Sequence, residues 1–439
     1  MKSASASLTR RRFLQLTGAS AAVWLAGCAV NPVTGEQQLM LMSESQEIDI
    51  DRQHAPLQFS TDYGVAVDDR LNGYIDRALH ELAARTHRPQ MPYSARAVNA
   101  VYVNAYAFPG GSIAVTRGIL LAMENEAELA SLLGHELGHV NARHTAQQMS
   151  RGMLTQAVVG GLAALANAQS AAAGQLASQL GMLGAGALLA SYSRENEREA
   201  DALGMEYMVR TGYSPAGFVG LMDVLRALSD EKPNAIELMF ATHPMSEERY
   251  RTAVATADST YAYAMNAPLN RERYMDRTAG LRAIRSTIES LQEGEKEMAG
   301  RRYPQAEALF SEALSRTPDD YAGLLLMAKC QIAQERYAEA LRYANAAHQA
   351  YPSEAQAYHV RGFSYIHTNR FEAAYQDFTR YAELLPGNPA TSFFRGFCLE
   401  QLQRKEDAAR LYAQFLQTVR QGQQAEYAYQ RLVEWGYAQ

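Results

Sequence analysis

Five consecutive residues, His135-Glu136-Leu137-Gly138-His139, have the types and spacing of a metal-dependent hydrolase site. On a helix, His135 and His139 stand at i and i+4 and leave the same face one turn apart, so that both imidazoles can reach a single zinc ion. Glu136, beside the first of them, can serve as general base toward a water at the metal. A catalytic zinc takes three protein ligands and keeps a fourth position open, so the chain must supply one more donor.

The elements that must position these groups are legible around them. From Glu124 to Met149 the chain has no proline and is dominated by Ala, Leu and Glu, which predicts a helix. Leu129, Leu132, Leu133, Leu137 and Val140 recur at helical spacing, as a helix with one buried face requires. Gly138 costs a helix about 1 kcal/mol against Ala; a small residue there predicts close approach by a neighbouring backbone.

Candidates for the third ligand lie in Ser-Arg-Glu-Asn-Glu-Arg-Glu-Ala-Asp, residues 193–201. Helical phase divides its acids. Glu197 and Asp201 share a stripe with Ala200, Gly204 and Met208, whereas Glu195 and Glu199 share the opposite, charged side with Glu206. A carboxylate on a burying stripe needs a partner, which points to Glu197 as ligand and to Asp201, one turn on, as an orienting or proton-donating acid. Farther along, His243 is followed by Pro244, which biases it toward an extended loop conformation. There it could fill the open metal position, stabilise an oxyanion, or simply precede the next helix. Arg249, in the same segment, is a candidate for an oxyanion contact or for a structural role.

The set His-Glu-Leu-Gly-His, then residues 193–201, then Thr242-His-Pro-Met-Ser-Glu-Glu-Arg249, in this order, resembles the HtpX/CAAX-prenyl-protease-type zinc metalloendopeptidases, within the gluzincins. Val103-Asn-Ala-Tyr-Ala-Phe-Pro-Gly-Gly-Ser-Ile-Ala-Val-Thr116 resembles that family's substrate-side strand and turn, and Asn31-Pro-Val-Thr-Gly35 its mature start. The resemblance covers roughly residues 29–255. It implies one Zn2+ per subunit on His135, His139 and Glu197, with Glu136 as base and Asp201 supporting catalysis. His243 matches a family histidine that can take the fourth zinc position and hold the enzyme off. A peptide is expected to pair by its backbone beside Ile113–Val115, with Asn104 in the same substrate-side stretch.

At the N-terminus, Thr9-Arg-Arg-Arg-Phe-Leu14 resembles a twin-arginine export signal, and Leu25-Ala-Gly-Cys28 a bacterial lipobox with Cys28 as the lipidated residue. The apolar stretch between them is too short to span a bilayer. Loss of residues 1–27, with four basic groups and no acid, takes the net charge from −6 to −10, which argues against nucleic-acid binding. Ala29 after the cysteine favours an outer-membrane destination for a periplasmic, lipid-anchored protein.

The C-terminal third repeats every 34 residues: Pro318, Pro352 and Pro386; Ala306, Ala340, Ala374 and Ala408; Gly294, Ala328, Gly362 and Gly396. This is the tetratricopeptide pattern, a helical stack whose concave face binds peptides or proteins. Three repeats are clear, and the fourth, around 389–420, lacks its proline and reads as a cap. Cys330 and Cys398 occupy equivalent positions two repeats apart, too distant for a disulfide, so two buried free thiols are expected. Between the two site segments, Gly152 to Ser193 carries no charge. It reads as a pair of closely packed core helices, or as a hairpin over the cleft or on the membrane.

The reading is therefore a mainly α protein: signal peptide 1–27, gluzincin metalloprotease domain 28–260 with a small sheet near 94–117, linker 261–279, and an α-α repeat solenoid 280–439. The implied activity is endopeptidase cleavage of misfolded or stalled envelope proteins. By resemblance, partners lie in the outer-membrane assembly machinery, with chaperone activity in that process. The rival reading is a repeat-domain scaffold or chaperone whose metal site is largely silent.

Overall fold

The computed structural model describes residues 28–152, 192–231 and 233–438. The export-signal reading and nearly all of the uncharged 152–193 stretch lie outside these residues. Cys28–Val30 (β1) and Gln37–Leu39 (β2) form an antiparallel hairpin. The Asn31 side chain closes its turn by accepting from the Val33 amide at 2.8 Å, and Gly35 takes the left-handed φ of 72°. The helix Glu44–Thr61 (α1) starts with a capping box between Ser43 and Gln46. Asp69–Ala83 (α2) is strongly amphipathic and buries Leu71, Ile75, Leu79 and Leu82.

A three-stranded sheet follows, made of Ser94–Val98 (β3), Ala105–Ala107 (β4) and Ser112–Thr116 (β5), in the order β3-β5-β4. β5 pairs in parallel with β3 and antiparallel with β4. Ile113 and Val115 therefore lie on the central strand, where both backbone edges are used, and neither can pair with a peptide as the sequence suggested. The edge strands are β3, whose Ala95 and Ala97 amides donate to the Asp76 and Asn72 side chains, and β4. Arg117–Ala122 (α3) leads into the motif helix Glu126–Asn141 (α4), which is capped by Asn125 and buried along its whole length. The helix does not run on to Met149 as expected. It stops at Ala142, Arg143 adopts a left-handed φ of 60°, and helical structure resumes at His144.

After Ser193 caps Arg194–Arg210 (α5), the helices Ala216–Glu231 (α6), Pro233–Thr242 (α7) and Glu247–Asp258 (α8) complete the first half. Residues 261–279 are not a free tether. The helix Arg271–Arg277 (α9) lies on the first half, with Tyr274 fully buried and its hydroxyl donating to the Leu120 carbonyl at 2.7 Å. The short helix Ala279–Ala283 (α10) leads into Arg285–Ala299 (α11).

The repeats are helix pairs: α11 with Tyr303–Arg316 (α12), Tyr321–Ala333 (α13) with Tyr337–Ala350 (α14), Gln356–His367 (α15) with Phe371–Leu384 (α16), and Pro389–Gln401 (α17) with Lys405–Thr418 (α18). The period is written into the backbone: Arg301, Glu335, Asn369 and Gln403 all turn the chain with φ between 57° and 62°. The fourth pair is a complete repeat, and the cap is the following helix Gln423–Glu434 (α19), which packs on α18. Cys330 and Cys398 are both buried and free. Among the described residues no helix is long and apolar enough to cross a membrane.

One apolar core runs from Met40 through the first half into the repeats as far as Val360. Polar contacts cross the same boundary. Buried Arg117 holds Asp320 at 2.5 and 3.3 Å while its Nε donates to the Asn99 carbonyl at 2.9 Å. Glu354 accepts from Ser60 and Tyr321. Tyr63 donates to Glu295 at 3.4 Å, with Lys329 4.5 Å above its ring.

Candidate metal centre

Helices α4 and α5 approach so closely because the seam between them is made of small residues. A Cβ on Gly138 would sit 2.8 Å from the Ala200 carbonyl oxygen, and one on Gly204 would sit 2.8 Å from the His135 amide nitrogen. Gly138 therefore serves as its place in the sequence suggested. The contact sets the Glu197 carboxylate against both histidines of the motif.

His135, His139, Glu197 and His243 each offer one donor atom, and these four atoms lie within 4.8 Å of one another. His139 Nε2 is 3.1 Å from His135 Nε2 and 3.3 Å from Glu197 Oε1. His243, on the loop after α7, places Nδ1 3.1 Å from Glu197 Oε1 and 3.4 Å from His135 Nε2. Four borderline-soft and hard donors converging in a buried site suit a divalent metal such as zinc. Glu136 lies against this cluster, 3.8 Å from His243 Nε2, with both carboxylate oxygens buried and lacking a hydrogen-bond partner. Two buried oxygens without a hydrogen-bond partner are costly unless a ligand or water engages them.

The electrostatics of the cluster follow from burial and from the neighbouring charges. Burial would raise the Glu197 carboxyl, but His243, His139 and His135 outweigh it and hold the group ionised. Burial drives His139 well below the ordinary imidazole range, so it is neutral, the form that binds metal. Burial raises Glu136, opposed by His243 and His135.

Asp201 does not face the cluster directly. Its Oδ1 accepts from His135 Nδ1 at 2.9 Å, and Arg249 grips both its oxygens at 2.7 Å. Arg249 also contacts Glu197 at 2.6 Å and the Pro244 carbonyl at 2.8 Å. Its guanidinium thus spans two acids, Asp201 and Glu197. Asn104 lies at the head of the edge strand β4, its carboxamide fully buried and without a hydrogen-bond partner. The motif helix α4 packs against that strand, so β4 runs beside the site. An apolar cavity bounded by Leu132, Phe218, Leu221, Met222 and Met245 adjoins His135 and His243.

Sequence reasoning missed three residues around His139. His144 Nδ1 lies 2.9 Å from His139 Nδ1, and Glu199, assigned to the solvated face, lies 3.2 Å from His144 Nε2. Tyr192 stacks on His139 at 3.8 Å and 22°. The histidine at position 144 was a visible signal, but its contact depends on the break in α4.

Residues 69–257 match the model of peptidase family M48, and residues 297–362 match a tetratricopeptide repeat model. The chain is 35% identical over 190 residues to the putative beta-barrel assembly-enhancing protease of Vibrio cholerae, covering 42% of this chain and 38% of that protein. It is 38% identical over 148 residues to the metalloprotease YcaL of Escherichia coli, covering 34% of this chain and 55% of that protein. The chain thus spans well under two thirds of either relative. Among solved structures, the tetratricopeptide protein YrrB aligns with 46% of this chain and 96% of its own at 14% identity, with a TM-score of 0.31, too low to add to the fold argument. The first half of the chain thus resembles peptidase family M48 domains, and the second half carries tetratricopeptide-like repeats.

Proposed function

We propose that the protein is a zinc-dependent metalloendopeptidase of the bacterial cell envelope that cleaves unfolded or stalled proteins delivered through its repeat domain. The observation that carries this reading is the convergence of four donor atoms within 4.8 Å beside a glutamate whose two oxygens have no partner. His135, His139 and Glu197 would hold the metal. When bound, zinc supplies Lewis acidity toward a scissile carbonyl and lowers the pKa of a water. Glu136 takes the proton of the attacking water and later returns it to the departing amine. Asp201 and Arg249 keep His135 and Glu197 in register. The backbone edge of β4 offers an extended peptide a strand to pair with, and the apolar cavity beside His135 receives a nonpolar side chain.

His243 offers a fourth donor atom, which supports a guarding role at the metal position a substrate carbonyl would take. The export and lipobox motifs support periplasmic location with Cys28 anchored in the outer membrane. The name of the Vibrio relative supports a role in outer-membrane barrel quality control, as protease and as assembly chaperone.

Casein digestion tests the mechanism. Glu136→Gln should retain zinc and lose cleavage by about 10²–10⁴-fold; digestion at the wild-type rate overturns the assignment. His243→Ala should raise activity, and unchanged or lower activity removes the guarding role.

A further inference from the structure

We infer that His144 and Glu199 form a proton-ordered chain that fixes the tautomer of His139, making both of them positioning residues for the metal site. The inference rests on the metal reading above and extends it to residues outside the donor set.

The geometry begins with the break in α4. In an unbroken helix, positions five apart point about 140° away from each other, and His139 and His144 would not meet. Arg143 takes the left-handed conformation, and its side chain is tied down by Glu47 at 3.0 Å and by the Met42 carbonyl at 2.7 Å. The helix is interrupted there, and fully buried His144 lies against the ring of His139, their centroids 5.0 Å apart.

Two imidazole Nδ1 atoms 2.9 Å apart must share one proton, and only one arrangement serves a metal. If His139 turns Nε2 toward Glu197 and the metal, that nitrogen must be bare. The proton of the neutral ring then sits on Nδ1 and is donated to His144 Nδ1. His144 carries its own proton on Nε2, 3.2 Å from Glu199 Oε2, an acceptor when ionised. The opposite order would leave His139 Nδ1 accepting and place its proton on Nε2, where the metal must bind. Glu199 thus selects the tautomer of His144, and His144 that of His139. His135 is served in parallel, by Asp201 under the grip of Arg249.

The test is zinc affinity of the full mature chain, measured by competition with a chromophoric chelator, together with the visible spectrum of the cobalt(II)-substituted protein. Glu199→Lys replaces the acceptor with a donor, and His144→Phe removes the acceptor for His139. Each should weaken zinc binding about 10–100-fold and alter the cobalt bands. His144→Gln, which keeps an acceptor oxygen, should recover most of the affinity. Should His144→Phe fail to fold, Glu199→Lys, at the partly exposed end of the chain, decides alone. Affinities for Glu199→Lys and His144→Phe within twofold of wild type overturn the inference, as does a His144→Gln variant as weak as His144→Phe. A wild-type chain that takes up no zinc overturns the metal reading and this inference with it; wild-type binding with unshifted variants overturns this inference alone.

Discussion

Glycine does different work in the two halves of this molecule. In the seam under the metal site, an added Cβ on Gly134, Gly138 or Gly204 would meet the backbone of the facing helix at 2.8–2.9 Å. In the repeats, a Cβ on Gly362 or Gly396 would meet the ring of Phe378 or Tyr412, at 3.0 and 2.9 Å. A ring can tilt by a few tenths of an ångström, whereas two helix backbones cannot separate without carrying His135 and Glu197 apart. At Gly362 and Gly396 a small change is thus met by a ring, whereas the seam under the metal site is a backbone contact with no slack.

That contrast can be broken or sharpened in order of expected effect. The two halves are joined by the buried Arg117–Asp320 pair. Arg117→Ala strands a buried carboxylate and should cost about 3–5 kcal/mol in denaturant unfolding; a loss under 1 kcal/mol would mean that this pair does not hold the halves together. Gly204→Ala should cost about 3 kcal/mol and also weaken zinc binding, read by the same melts and by chelator competition. Equal zinc affinity in that variant would show that the seam does not set the site. Gly362→Ala should stay within about 1 kcal/mol of wild type, since better helix propensity offsets the displaced ring, and should leave zinc affinity untouched. The smallest effect concerns pH. Loss of solvent at the junction of the two halves pushes the Glu295 carboxyl up to about 7, against Lys329 and Tyr63. A raised carboxyl contributes stability that is fully present below its ordinary 4.5 and fades as pH rises through 7. Wild type should therefore lose melting temperature relative to Glu295→Gln between pH 5 and pH 8; parallel curves would contradict this.

Much of the site was legible because it is local. Helical phase alone separated Glu197 and Asp201 from Glu195, and a 34-residue period gave the solenoid and its two buried thiols. What failed was set by distant contacts. The break after Ala142 depends on Glu47 and Met42, about a hundred residues upstream, and without it Glu199 reads as solvated. Strand order is equally nonlocal: the apolar run Ile113–Val115 looks like an available strand until the three-residue β4 takes its second edge. Arg249 gave no hint of its clamp, because its two partners sit 48 and 52 positions away. The fourth repeat read as a cap because its proline is missing, yet Gly396 meets Tyr412 as Gly362 meets Phe378, and the helix pair forms regardless.

The central claim is that His135, His139 and Glu197 form a catalytic zinc site. Zinc content of the purified protein, with casein digestion followed through chelation and metal return, tests it most directly. One zinc per chain, activity lost on chelation and restored by stoichiometric zinc, is the predicted result, with neither zinc nor activity in Glu197→Ala. Digestion that survives complete removal of metal, or full zinc occupancy in Glu197→Ala, would contradict it.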